Sequence, residues 1–210
     1  MNGKGRIAGL VLAGGRSSRL GSDKAVARLE GRSLLAWSLA ALDGVCEAVA
    51  VSAPGGGAAG ALASALGRTL VADDPTHGEG PLAGVAAGLA WAAAAGFDVL
   101  LTLPCDTPLV ETAHLRTLIA ARGDARGAYA ITRAGPHPLC AAWDVGLAAT
   151  LVDVLARGAH PSARDFLAGL GARAVVFEAA GAFANVNRPE DLAAIAGAAA
   201  PIHEPVIKSD

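Results

Sequence analysis

The chain is short of cysteine, of charge and of aromatic residues. Its 210 residues hold three cysteines, Cys46, Cys105 and Cys140, which form no CxxC pair and are too few for a disulfide framework. A reducing cytoplasm is the natural setting. Charged residues make up 17% of the chain against 53% hydrophobic, with a net charge of −2, so charge-driven disorder is excluded. The basic residues Arg16, Arg19 and Lys24 cluster early instead of forming a long tract, which argues against a nucleic-acid partner. Aromatic residues contribute 4%, and Trp37, Trp91 and Trp143 read as packing residues in a core otherwise filled by small side chains. Long unbroken apolar runs are missing too. Residues 48–67 are interrupted by Pro54 and three glycines, and residues 80–97 are mostly alanine and glycine, so neither makes a membrane span. The opening MNGKGRIAGLVLAGG has too short an apolar stretch for a signal peptide and reads as a first strand.

What is present is alternation. Residues 7–12 form a short β-rich run ended by Ala13-Gly14-Gly15, the pattern of a buried parallel strand entering a loop. A helix over 33–42, a strand over 48–52, a turn at 55–57, a helix over 58–66 and a strand over 69–72 follow. After a polar loop at 73–80, Pro81 opens a helix ending near Gly96, and the buried strand 98–103 breaks at Pro104-Cys105-Asp106-Thr107-Pro108. The second half predicts a helix over 112–121, strands over 128–132 and 138–143, helices over 146–156 and 162–170, a strand over 173–177 and a helix over 189–195. Strand and helix in alternation specify parallel βαβ units with right-handed crossovers, and ligands bind above the carboxyl ends of such strands. The expected fold is therefore α/β: three layers, α/β/α, around a Rossmann-like, mostly parallel sheet. One domain is expected over 1–197, with a poorly ordered tail over 198–210.

Chemistry concentrates in a few segments. The loop LAGGRSSRLGSDK, from Leu12 to Lys24, leaves a buried strand on two glycines, so backbone N–H groups at Gly14 and Gly15 approach an anion closely. Arg19 and Lys24 bring the countercharge, and a triphosphate needs both features. The loop is not GxGxxG, because Gly14-Gly15 is followed by Arg16-Ser17-Ser18, and it is not a Walker A loop, because Gly21 is not followed directly by lysine. Asp106 stands at a strand's carboxyl edge, where a carboxylate can hold a hard cation such as Mg²⁺ that also bridges phosphate oxygens. Asn185 and Asn187 lie two apart in an extended stretch, which turns both amides to one face. His77, His114, His160 and His203 show no metal-ligand spacing, and the cysteines read as small core residues.

The loop matches LAGGxxxRxGxxK and so resembles the signature of the MobA-like nucleotidyltransferases. The likeness is closest to the LAGGxSxRMGxDK form of the molybdenum cofactor guanylyltransferases, with Leu20 in place of methionine. Four more segments fall in the family's order. Gly80-Pro81-Leu82-Ala83-Gly84 is similar to its GPLAG segment, Pro104-Cys105-Asp106-Thr107-Pro108 to PCDTP, His137-Pro138-Leu139-Cys140 to HPxxA, and the stretch from Phe183 to Leu192 to FxNxNTPEDL. The resemblance implies a sheet of the nucleotide-diphospho-sugar transferase type. It also implies transfer of GMP from GTP to the phosphate of molybdopterin, with Mg²⁺ as cofactor. Carried over residue by residue, it implies nucleotide contacts from Leu12, Ala13, Gly14, Gly15, Lys24, Ser52, Asp73 and Asp106, with Asp74 leaving the register of Asp73 open by one. Arg19, Lys24 and Asp106 are the catalytic candidates, Asp106 the metal ligand, and Asn185, Asn187 and His137 the acceptor side. Ser52 stands where the guanylyltransferases often carry asparagine, which bears on base specificity. The implied partners are GTP, molybdopterin or the molybdenum cofactor, molybdopterin-loading proteins and apo-molybdoenzyme chaperones, with no nucleic acid and no membrane.

Two other readings stay open at this point. One is the same chemistry with another nucleotide or acceptor, as in molybdopterin cytidylyltransferases, which tend to carry LAAG, or sugar nucleotidyltransferases. The other is a non-catalytic module that binds GTP and molybdopterin for delivery and releases no pyrophosphate. Lys24 together with Asp106 favours turnover.

Overall fold

The computed structural model describes residues 5–14, 24–54, 56–72 and 80–197. The expectations for Gly15, Arg19, Asp73, Asp74 and the tail over 198–210 fall outside them. The first half alternates: β1 (Ile7–Leu12), a short hairpin of β2 (Arg28–Leu29) and β3 (Arg32–Ser33), α1 (Leu34–Asp43), β4 (Ala48–Ser52), α2 (Ala58–Ala65), β5 (Thr69–Val71), α3 (Pro81–Ala94) and β6 (Val99–Pro104). The second half adds α4 (Thr112–Arg122), β7 (Gly127–Thr132), β8 (Gly135–Asp144), α5 (Ala148–Ala156), α6 (Ala163–Gly169), β9 (Arg173–Val176) and α7 (Pro189–Ile195).

Seven of these strands form one sheet in the order β5-β4-β1-β6-β8-β7-β9. β1, β4, β5 and β6 are mutually parallel; β8 runs antiparallel to both β6 and β7, and β9 returns parallel to β7. Successive residues of β1 point to opposite faces, and this period of two divides the core. Val11 packs with Val51, Leu101, Leu103 and the buried leucines of α1 and α4, whereas Leu10 and Leu12 pack with Leu100, Trp143 and the helices α3, α5 and α6. The result is the expected three-layer, mostly parallel α/β/α arrangement.

Scarcity of large side chains is matched by close approach. A Cβ built on Gly88 of α3 would lie 2.4 Å from Leu10 Cδ2, so the helix sits nearer the sheet than any larger residue permits. A third, small cluster, Leu29, Leu34, Trp37 and Val186, lies under the β2–β3 hairpin. That hairpin was not expected from sequence. Its turn places Glu30 at φ 50° and Gly31 at φ 78°, and Trp37 Nε1 ties it down by donating to Leu29 O at 3.0 Å. Two further differences are matters of length: β8 begins three residues earlier than the expected 138, and the helix expected from 146 starts as a 3₁₀ turn, Val145–Leu147, before α5. Among the described residues no helix is long and apolar enough to cross a membrane.

Chain order reverses its direction of travel across the sheet at β1, which has β4 on one side and β6 on the other. Such a reversal opens a crevice at the carboxyl ends of the strands, the place where open α/β sheets bind ligands. Val71, Ser52, Leu12 and Pro104 stand in register across β5, β4, β1 and β6, and form its floor.

Candidate nucleotide site at the carboxyl ends of the strands

The loops leaving β1 and β6 start side by side because hydrogen bonds continue past the strands. Ala13 N donates to Ser52 O at 2.8 Å, and Cys105 N donates to Leu12 O at 3.1 Å. Leu12 and Ala13 are buried, whereas Gly14 is exposed at the lip. A Cβ on Gly14 would meet no described atom within 4 Å, and its φ is not in the left-handed region. Neither crowding by the described residues nor backbone strain therefore requires glycine there. The missing side chain leaves the Gly14 backbone bare.

Asp106 is held from both sides. The carbonyl of Pro104, at the end of β6, accepts from Thr107 Oγ1 at 3.0 Å and Ser38 Oγ at 3.3 Å, and Thr107 is buried. The carbonyl of Asp106 accepts from Val186 N at 2.8 Å. Its carboxylate is thus fixed in a loop that cannot swing without breaking buried bonds. Cys140 packs behind this loop in contact with Thr107; burial raises its thiol to about 12, and Cys46 rises to about 12 by burial and the nearby Asp43 charge. Neither is a nucleophile at neutral pH.

Lys24 comes from the 3₁₀ turn Lys24–Val26, anchored by Ala25, which is fully buried. Its ammonium donates to Asp106 Oδ2 at 3.0 Å and to Asn187 Oδ1 at 2.5 Å. The Lys24 and Asp106 side chains keep 23% and 17% exposure, so the pair is screened on one side and open to a ligand on the other. Asn185 and Asn187 are both exposed and flank Val186, buried in the small third cluster. Asp191 then locks the segment, accepting from Asn187 N at 2.7 Å and Arg188 N at 2.9 Å. The structure thus brings Gly14, Ser52, Lys24, Asp106 and Asn187 to one end of the sheet.

His137 sits apart from that contact. Its Nε2 pairs with Thr132 Oγ1 at 3.0 Å, its ring packs 5.3 Å from Phe183, and burial lowers its pKa below the usual value, which keeps it neutral at pH 7. Its ring contact with Phe183 lies two residues before Asn185 in the chain. The Ser52 residue is buried, and its carbonyl serves Ala13. Sequence reasoning passed over Thr107, Ser38 and Asp191. For Asp191 a signal existed, since an acid two residues after Pro189 in a helix's first turn is a capping pattern. For Ser38 none existed, because its partner lies 66 residues away.

Among the described residues no three His, Cys, Asp or Glu side chains gather as a metal cluster. Asp106 is therefore a single carboxylate within a set of hard oxygen and nitrogen groups.

Comparison with known proteins agrees with this geometry. The family model of the MobA-like NTP transferase domain matches residues 9–176. A molybdenum cofactor guanylyltransferase of Cereibacter sphaeroides is 43% identical over 191 residues, covering 90% of this chain and 94% of its own length. Another, from Acidiphilium cryptum, is 40% identical over 185 residues, covering 87% and 90% respectively. Among solved structures, molybdopterin-guanine dinucleotide biosynthesis protein A from Archaeoglobus fulgidus superposes with a TM-score of 0.69 at 21% identity, covering 89% of this chain and 95% of that one. A 4-diphosphocytidyl-2C-methyl-D-erythritol synthase from Anaerococcus prevotii superposes at 0.70 with 13% identity, covering 91% and 96%, which shows a shared fold. With a family match over residues 9–176 and a 43% identical relative covering 90% of it, the chain belongs to the MobA-like NTP transferase family.

Proposed function

We propose that this protein transfers GMP from GTP to the phosphate of molybdopterin, releasing pyrophosphate and forming a guanine dinucleotide cofactor. The observation that carries the reading is the meeting of Lys24, Asp106 and Asn187, from segments 82 and 163 residues apart, at the same end of the sheet as Gly14. An ammonium held in that position, partly open to solvent, suits a triphosphate. The acceptor's phosphate oxygen attacks the α-phosphorus of GTP; the new O–P bond forms as the bond to the β-phosphate oxygen breaks. The attacking phosphate oxygen is already ionised at neutral pH, so no side chain has to remove a proton. Backbone N–H groups of Gly14 and Gly15 orient the triphosphate, while Lys24 and Arg19 neutralise charge that grows on departing pyrophosphate. In this reading Ser52 and Asp73 contribute to nucleoside binding, and Asn185, Asn187 and His137 to acceptor binding.

The donor set suits Mg²⁺, a hard ion that keeps several waters and takes one or two carboxylates together with substrate phosphates. Asp106 would hold it, and the ion would supply charge neutralisation on the phosphate oxygens. We further propose a single domain over residues 1–197, a cytoplasmic location suited to a chain with few cysteines and no CxxC pair, and exchange of acceptor and product with molybdopterin-loading proteins and apo-molybdoenzyme chaperones.

The test is to incubate the purified protein with Mg²⁺, molybdopterin and each nucleoside triphosphate separately while following pyrophosphate. Release with GTP alone is expected. Equal release with CTP would remove the base assignment, and binding without any release would remove catalysis.

A further inference from the structure

Asn187 meets the Lys24 ammonium at 2.5 Å although little around it is buried. Asn185, Arg188 and Pro189 are exposed as well, and of this segment only Val186 is buried. On one side the chain is fastened by Val186 N, which donates to Asp106 O at 2.8 Å. On the other it is fastened by Asp191, whose Oδ2 accepts from Asn187 N at 2.7 Å and from Arg188 N at 2.9 Å. Those two N–H groups belong to the peptide planes on either side of the Asn187 Cα. One carboxylate oxygen therefore fixes φ and ψ of Asn187 together, through short charge-assisted bonds, and so sets the direction in which its side chain leaves the backbone.

The same bonds cap the first turn of α7, but α7 gives the fold little to cap. It has seven residues, none of them buried, and only Leu192 and Ile195 reach the small cluster of Leu29, Leu34, Trp37 and Val186. A helix so short is marginal on its own. What the carboxylate does hold in place is the carboxamide that meets Lys24. Among the described residues no hydrogen bond joins Asp191 to Lys24 or Asp106, so its bonds reach that pair by way of Asn187.

We propose that Asp191 is a positioning residue: it aims the Asn187 carboxamide, which meets the Lys24 ammonium in the free protein and the acceptor during transfer. The second half of that assignment rests on the guanylyl-transfer reading above. The test uses Asp191→Ala, Asp191→Asn, Asn187→Ala and the double variant Asp191→Ala/Asn187→Ala, with thermal unfolding of each to check that the fold is kept. In the pyrophosphate assay, Asp191→Ala lowers kcat/KM for molybdopterin by about tenfold, the worth of one charge-assisted hydrogen bond. Asp191→Asn keeps an accepting oxygen and recovers most of that loss. In the Asn187→Ala background, Asp191→Ala costs less than about twofold, because the group it aims is gone, whereas an acid that served only the fold would multiply the two losses. A second readout needs no nucleotide: acetylation of Lys24 by dilute acetic anhydride, followed by mass spectrometry, with Lys4 and Lys208 as references in the same sample. Asp191→Ala and Asn187→Ala both raise the Lys24 rate by about threefold or more, as expected when the ammonium loses a hydrogen bond. Were the wild type to release no pyrophosphate, the guanylyl-transfer reading would fall, and the labelling would still decide whether Asp191 holds Lys24 through Asn187. Equal Lys24 rates in the wild type and Asp191→Ala, or kcat/KM losses that multiply in the double variant, would overturn the proposal.

Discussion

Replacing Lys24 by alanine separates folding from turnover more sharply than any other single change. The ammonium lies 3.0 Å from Asp106 Oδ2 and 2.5 Å from Asn187 Oδ1, and the two charged side chains keep 23% and 17% exposure. Water reaches the pair, so its contribution to stability is that of a screened ion pair, about 1 kcal/mol. For a chain of this size that corresponds to a melting shift of about 2–4 °C. Loss of a preorganised charge aimed at the departing pyrophosphate is a different matter, costing about 3–4 kcal/mol in the transition state, or about 10²–10³ in kcat. The assay is pyrophosphate release at saturating GTP, Mg²⁺ and acceptor, with thermal unfolding of the same preparation. Lys24→Arg recovers charge without the compact geometry and lies between the two. If Lys24→Ala kept kcat within about threefold of wild type while the fold was intact, the assignment of Lys24 to the leaving group would be wrong, since a loss of about 10² is the smallest such a donor gives.

Gly14→Ala should leave the protein slightly more stable, by about 0.4–1 kcal/mol through the unfolded chain, yet weaken GTP binding measured by calorimetry, because the new methyl group occupies the phosphate's approach. Stability lost together with binding would mean that Gly14 serves the fold. Gly88→Val should lower stability by about 1–3 kcal/mol in urea unfolding, since its Cβ alone would come within 2.4 Å of Leu10 and 3.2 Å of Leu100; a neutral result would mean that α3 can lift from the sheet at no cost. Burial depresses the pKa of both His114 and His137, with the Glu111 charge partly offsetting the effect at His114. A depressed folded-state pKa means that the unfolded chain binds the proton first. Stability present above the usual 6.5 is therefore lost progressively as pH falls below it toward the lower folded-state values. Melting temperatures should fall below that pH in the wild type and fall less in His137→Gln; parallel curves would refute the role of burial.

Much of this architecture is local and therefore readable along the chain. Ile7–Leu12 and Val99–Pro104 are short apolar runs closed by glycine or proline, and both became central strands whose carboxyl ends border the candidate site. Long-range order was not readable. Nothing in the composition of Gly135–Asp144 says that it inserts antiparallel between β6 and β7, because that choice depends on which edges are free when it pairs. The β2–β3 hairpin was hidden for a different reason: its turn uses Glu30 at positive φ, where asparagine or aspartate would have announced it, and packing of Leu29 under Trp37 holds that conformation. In the site, Lys24 and Asp106 were legible as residue types at informative positions. Their partnership with Asn187, and the support from Thr107, Ser38 and Asp191, depend on contacts that only the folded chain makes.

The most direct measurement is a crystal structure of the protein soaked with GTP and Mg²⁺. Triphosphate density over the Gly14 backbone, with Lys24 Nζ turned from Asn187 toward a phosphate oxygen and the ion on Asp106, is the predicted result. Nucleotide bound at another surface, with the Lys24–Asp106–Asn187 contact unchanged, would contradict it.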